Sequence, residues 1–177
     1  AVQEEVALTA VVALDPQRGE RVLDLCAAPG GKTLQIATRL GDSGLVVAND
    51  RNPGRLAALG SAIARLGCLN VAITHHDGCT LPLPPQSFDR VLVDAPCSGE
   101  GTLRKHLKNP DYGTRFSFRE APSAHPYSPR LAHFQKALLR RALELVRPGG
   151  VVVYSTCTMA PEENEAVIDA VLGTSPT

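Results

Sequence analysis

Short apolar runs alternate with longer amphipathic ones along the chain. Arg21–Leu25, Gly44–Asn49, Asn70–Thr74, Phe88–Asp94 and Val151–Ser155 are the strand-like runs. Lys32–Leu40, Pro53–Leu66, Ser128–Val146 and Pro161–Leu172 carry the helical period. Pro53 opens the second of these helices and Gly67 follows its end, the usual asymmetry of helix boundaries. The last helix begins with acids in its first turn, which favours its dipole. Arg147-Pro148-Gly149-Gly150 reads as the turn between the third helix and the fifth strand. Strands alternating with helices predict an α/β fold with a mostly parallel sheet. Near-continuous apolar strands predict helices on both faces. Ligands of such sheets bind beyond the carboxyl ends of the strands, so the loops after the strands carry the candidate chemistry.

The length of 177 residues fits one domain, spanning 1–177. An apolar share of 44% against 20% charged excludes a disordered chain. No run of 18 apolar residues is present, and no basic-then-apolar leader is visible. The chain starts at Ala1 and its one methionine is Met159, so a stretch excised from a longer protein is expected. The cysteines are five (Cys26, Cys68, Cys79, Cys97, Cys157), an odd number without a C-x-x-C pair. That argues for a reducing, intracellular compartment, nucleus or cytoplasm, and against a disulfide framework or zinc site. The 18 basic and 18 acidic residues cancel, yet Arg104–Arg141 holds nine Lys/Arg against Asp111 and Glu120. Such a basic stretch suits a phosphate-rich partner, or is a solvated loop and helix face. Within it, 106–129 is an irregular basic insertion rich in Pro, Ser, Gly and Arg, and Tyr112, Phe116, Phe118 and Tyr127 there could stack on bases or pack locally.

The first loop is Cys26-Ala27-Ala28-Pro29-Gly30-Gly31-Lys32-Thr33. Its glycines allow close backbone approach, and the following helix offers its positive end. Its tail imitates a phosphate loop, but Cys26 stands where that motif needs glycine, which argues against a nucleotide triphosphatase. The G-x-G-x-x-G fingerprint of nicotinamide enzymes is also missing. Asp50 closes the second strand, where an acid accepts from ribose hydroxyls or caps the Pro53 helix, a task open to Asn52 as well. Arg55 lies one turn into that helix and could face Asp50, but reads rather as a solvated helix residue. Asp77 follows the third strand and could accept from an adenine amino group or serve a turn; His75 and His76 lack a third ligand and are read as no metal site. Asp94-Ala95-Pro96-Cys97-Ser98 and Thr156-Cys157-Thr158 follow the fourth and fifth strands. A lone strand-end cysteine is usually a small hydrophobe. Two at one rim point to thiol chemistry, with Lys32, Arg104 and Lys105 as candidate cations for a thiolate. Cys68 and Cys79 are assigned to packing.

These stretches, with Tyr154-Ser155 and Pro161-Glu162-Glu163-Asn164-Glu165, resemble the Sun/NSUN family of RNA 5-methylcytosine methyltransferases. Gly99–Lys105 and Val47–Asp50 look most like its eukaryotic tRNA-modifying branch. The resemblance implies a Rossmann-like class I S-adenosylmethionine-dependent core, lacking the last strands and the preceding RNA-binding module of the family. It implies methyl transfer to C5 of cytosine in RNA, tRNA ahead of rRNA, through a covalent cysteine–C6 adduct. Cys157 would be the nucleophile, Cys97 would assist product release, and Asp94 would hold the cytosine edge. Cys26, Ala27, Ala28, Pro29, Gly30, Gly31, Lys32, Asp50, Asp77 and Asp94 would hold S-adenosylmethionine. A membrane and a metal are not expected, and a monomer is favoured. DNA cytosine-5 methyltransferases use a Pro-Cys after the fourth strand as nucleophile, which would put the attack on Cys97 instead. The alternatives of another class are a non-catalytic S-adenosylmethionine- or RNA-binding module and a nucleotide-dependent oxidoreductase.

Overall fold

The computed structural model describes residues 5–99 and 128–173. The basic insertion 106–129, its aromatics, and Arg104 and Lys105 therefore lie outside the described residues, apart from the backbone of Ser128 and Pro129. The chain divides into two compact units, Ala1–Asp94 with Arg140–Ser155, and Ala95–Leu139 with Thr156–Thr177.

The first unit holds a five-stranded sheet: β1 (Arg21–Asp24), β2 (Leu45–Asn49), β3 (Val71–Thr74), β4 (Phe88–Asp94) and β5 (Val146–Ser155). The order is β3-β2-β1-β4-β5 and every pairing is parallel. The direction of strand addition reverses between β1 and β4, so a switch point opens there. Val22, Val46 and Leu92 share one face, where they pack with Ala10, Val11 and Leu14 of α1 (Glu5–Leu14) and Ile36, Ala37 and Leu40 of α2 (Gly31–Leu40). Further along that face, Ala48 and Ala27 pack on Leu59 of α3 (Pro53–Leu66). Leu23, Val47, Val91 and Val93 are buried on the opposite face. The step from β4 to β5 runs the other way along the sheet. A right-handed crossover thus assigns the closing stretch of α4 (Ser128–Leu145) to that second face, where Ala142 and Leu145 are fully buried. In the second unit, a 3-10 turn at Pro161–Glu163 precedes α5 (Glu165–Leu172).

Three sequence expectations change. Helix α1 was not foreseen, because Glu5–Leu14 is apolar nearly throughout and carries little periodicity. The two outer strands are only half covered, with Ile73 on β3 42% exposed, because each has one sheet neighbour among the described residues. The Arg147–Gly150 turn is drawn into β5. Phe88 faces Val146 but Arg90 faces Val151, so the extra residues bulge out of the ladder. Gly150 makes this possible, since a Cβ there would meet Asp89 O at 2.5 Å. No helix among the described residues is long and apolar enough to cross a membrane.

Candidate active site

Buried carboxylates organise the loop after β1. Leu25 N donates to Leu92 O at 2.9 Å and Ala27 N to Asn49 O at 2.8 Å, which continues the sheet pairing past the strand end. Asp50 is 3% exposed; its Oδ2 accepts Ala28 N at 3.1 Å and its Oδ1 accepts Asn52 N at 2.8 Å. Arg55 reaches back from α3, donating Nη2–H to Ala28 O with Nη1 3.6 Å from Asp50 Oδ2. Asn52, not Asp50, caps α3, accepting Arg55 N at 3.2 Å. The Ala28–Pro29 peptide is cis. Gly30 has φ +106°, and a Cβ there would meet Leu59 Cδ1 at 2.5 Å, so both conformation and crowding demand glycine. A Cβ at Gly31 would meet nothing within 4 Å, which leaves open space above the loop at the amino end of α2. Burial, with Asp24, Asp50 and Asp94 nearby, pushes the Cys26 thiol up and keeps it neutral.

Asn49 fastens three strand ends together. Its Nδ2 donates to Leu25 O and His76 O, both at 3.1 Å. Its Oδ1 accepts Thr74 Oγ1 at 3.0 Å and His76 N at 3.1 Å. The amide is thereby fully used, and the loops bearing Asp50 and Asp77 are fixed relative to the first loop. Asp77 itself is exposed and accepts Cys79 N at 2.9 Å, capping the turn Gly78–Thr80.

Across the switch point, Lys32 Nζ at the start of α2 lies 2.7 Å from Asp94 Oδ2 at the end of β4. Asp94 Oδ1 accepts Ser155 Oγ at 2.9 Å. Lys32 is therefore a half-buried ion-pair partner rather than a cation facing solvent. Asp24 is buried, accepting Thr33 Oγ1 at 2.7 Å through Oδ2, while its Oδ1 has no hydrogen-bond partner among the described residues. Burial, and secondarily the charge of Asp94, raises the Asp24 carboxyl to about 7.

The second unit brings both sequence-selected cysteines together. Cys97 Sγ and Cys157 Sγ are 2.9 Å apart, and Cys157 N donates to Cys97 Sγ at 3.1 Å. Cys157 is exposed and Cys97 is half-buried. The hydrogen bond to Cys157, then burial, push the Cys97 thiol far above its ordinary range, so Cys97 keeps its proton. Gln135 and Glu163, both fully buried, hold the Cys97 loop. Gln135 Nε2 donates to Pro96 O and to Glu163 Oε2, each at 2.8 Å, and Ser98 N donates to the same Oε2 at 3.1 Å. Ser98 Oγ then donates to Thr158 Oγ1 at 2.8 Å. The Cys157 loop has its own clamp: Thr156 Oγ1 donates to Asn164 Oδ1 at 2.6 Å, and Asn164 Nδ2 donates to Thr158 O at 3.2 Å and Ala160 O at 2.9 Å.

Several of these residues escaped the sequence reading. Glu163 was taken as a helix-dipole acid, but the helix proper begins at Glu165 and Glu163 turns inward. Gln135 interrupts the apolar stripe Ala132, Leu138, Leu139, Ala142, Leu145 of α4, and that interruption is its signal. Asn49 is likewise a polar residue closing an apolar strand. Arg55 was placed in solvent, yet its position one turn into the helix is the signal that it can face Asp50, and it does so at 3.6 Å. Among the described residues no group of three or more His, Cys, Asp or Glu could hold a metal ion.

Three relatives place this arrangement. Ribosomal RNA small subunit methyltransferase F of Klebsiella pneumoniae (strain 342) is 40% identical over 182 residues, covering 99% of this chain and 35% of that protein. The 28S rRNA (cytosine-C(5))-methyltransferase of Mus musculus is 43% identical over 166 residues, covering 92% of this chain and 20% of that protein. The crystal structure of NSun6 from Pyrococcus horikoshii with SFG superposes with a TM-score of 0.79 at 31% identity, covering 97% of this chain and 41% of that one. The chain thus spans about a third of the length of the Klebsiella relative. The sequence profile of the 16S rRNA methyltransferase RsmB/F family matches residues 11–177, and the chain belongs to that family.

Proposed function

We propose that the chain is the catalytic core of an RNA cytosine-C5 methyltransferase that uses S-adenosylmethionine. The observation that carries the reading is the pairing of Cys97 and Cys157 at 2.9 Å, one sulfur exposed and the other holding its proton. The names of the relatives support it, and the NSun6 structure carries SFG, an analogue of S-adenosylmethionine.

The first-unit loops fit such a methyl donor. Open space above Gly31 and a buried carboxylate at Asp50 with lone pairs to spare suit a ribose and its neighbours. Cys26, Ala27, Ala28, Pro29, Gly30, Gly31 and Lys32 would line it, with Asp77 reaching the base and Asp94 nearby. The donor supplies an electrophilic methyl group. The chain supplies what cytosine lacks. C5 is a weak nucleophile until a thiolate adds to C6, and the exposed Cys157 is the group for that addition. Asp94 would hold the N3/N4 edge of the base. Once C5 carries the methyl, water takes the C5 proton, the C5–H electron pair forms the C5–C6 double bond, and Cys157 leaves C6 as a thiolate, a departure that Cys97 assists. Attack by Cys97 is disfavoured by its burial and its retained proton. Ring-face approach to C6 requires a base splayed from any helix. Ribosomal RNA is the first substrate to try, because the relatives' names carry it, and the bacterial relative favours the cytoplasm as the place of action. The likeness of Gly99–Lys105 to the tRNA-modifying branch keeps transfer RNA as the second.

The test is a denaturing gel for a covalent RNA adduct, using S-adenosylmethionine, both RNAs and three proteins: parent, Cys97→Ala and Cys157→Ala. An adduct that accumulates in Cys97→Ala and vanishes in Cys157→Ala is expected. The reverse pattern moves the attack to Cys97. Donor binding with no adduct and no methylation in any protein leaves a binding module.

A further inference from the structure

We infer that Gln135 and Glu163 are positioning residues for Cys97, and that they govern release of the methylated RNA rather than the addition of the nucleophile. The inference rests on reading Cys157 as the nucleophile and Cys97 as the releasing thiol. The two peptide groups that flank Cys97 end on this one buried pair: Pro96 O accepts Gln135 Nε2, and Ser98 N donates to Glu163 Oε2. Gln135 and Glu163 are joined to each other by a buried hydrogen bond at 2.8 Å, so neither end of the Cys97 loop moves without breaking a bond to this pair. Cys157 is held differently. Its flanking residues are tied to Asn164, which touches neither member of the pair in any of these bonds. The loops meet through side chains: Ser98 Oγ donates to Thr158 Oγ1, and Cys97 Sγ accepts Cys157 N at 3.1 Å and lies 2.9 Å from Cys157 Sγ. Loosening the Gln135–Glu163 pair therefore removes the backbone ties that set the position of Cys97, leaving its sulfur held only through Cys157, while the Asn164 ties of the Cys157 loop stay in place. In chemical terms the thiolate still adds to C6, and the proton-bearing thiol beside it is no longer held where the departing Cys157 needs it.

Two quantities separate positioning from mere structural damage: the rate of adduct formation in a single turnover, and the fraction of enzyme held as adduct at steady state. The proteins are the full chain as parent, Cys97→Ala, Gln135→Met, Glu163→Ala and Glu163→Gln. Gln135→Met keeps the side-chain volume and removes the donor, so it survives if Glu163→Ala does not fold. Gln135→Met and Glu163→Ala should raise the steady-state adduct about three- to tenfold towards the Cys97→Ala level, with the formation rate within about twofold of parent. Glu163→Gln keeps an acceptor oxygen for both donors and should restore the parent level. Formation rate and methylation falling together without adduct build-up would overturn the inference, as would variants indistinguishable from parent. Failure of Cys97→Ala itself to accumulate adduct would instead locate the error in the underlying cysteine assignment.

Discussion

Lys32 Nζ and Asp94 Oδ2 meet at 2.7 Å across the point where the sheet reverses its strand order. The lysine comes from the helix after β1 and the aspartate from the end of β4, so one ion pair joins the loop that would hold the donor to the residue that would hold the base. Lys32→Met leaves the half-buried carboxylate without its cation. Methyl transfer should fall about a hundredfold while the melting temperature changes little, as read by labelled-methyl incorporation and a thermal melt. Unchanged activity would remove Lys32 from the site.

Arg55 spans Ala28 O and Asp50 Oδ2 and so braces the loop after β1, the one proposed to hold the methyl donor, from outside. Arg55→Met should raise the apparent KM for S-adenosylmethionine about tenfold and leave kcat near parent. A drop confined to kcat would contradict this placement.

Asn49→Leu removes four hydrogen bonds and leaves three strand ends unfastened. A loss of about 3 kcal/mol is expected, lowering the melting temperature by roughly 10 °C. Bound S-adenosylmethionine should recover less of that loss than it gives to parent, because the loops it would grip are displaced.

The buried Asp24 gives a pH signature. Its carboxyl sits near 7 in the folded protein against 3.8 for the ordinary group, so the folded state binds the proton more tightly. Stability from this group is full below pH 4, declines as pH rises to 7, and is flat above. Asp24→Asn avoids the buried charge. Its melting temperature should exceed that of parent at pH 8, by the equivalent of about 4 kcal/mol, and the gap should close towards pH 4. A gap independent of pH would refute the assignment.

Iodoacetamide at pH 8 should label Cys157 first. Cys157 is exposed, whereas Cys26 and Cys97 are pushed up and Cys79 is raised to about 11. Peptide mass spectrometry after timed labelling measures the order. Equal rates at Cys97 and Cys157 would be the contrary result.

The sheet was legible in the sequence because a parallel sheet needs apolar strands, and the five runs read from residues 21, 44, 70, 88 and 151 all became strands. The paired cysteines were legible because two of them end adjacent strands, and β4 and β5 indeed pair. Helix α1 was not, since a uniformly apolar segment carries no period to read. The braces were not legible either. Arg55, Gln135 and Glu163 act through contacts with backbone carbonyls and amides of distant loops. A sequence pattern records which face a side chain turns to, but not which distant peptide group it meets there.

Gly30 carries a consequence for anyone who would move this loop elsewhere. Leu59 of α3 stands where a Cβ of residue 30 would be, and Arg55 of the same helix grips Ala28. The loop is shaped by a helix that follows it by more than twenty residues. Grafted alone onto another α/β sheet, Cys26–Lys32 would lose both the wedge and the tether. The transplantable cassette is β1 through α3, Arg21 to Leu66, and loop-swapped chimeras between relatives should keep donor binding only when α3 travels with its loop.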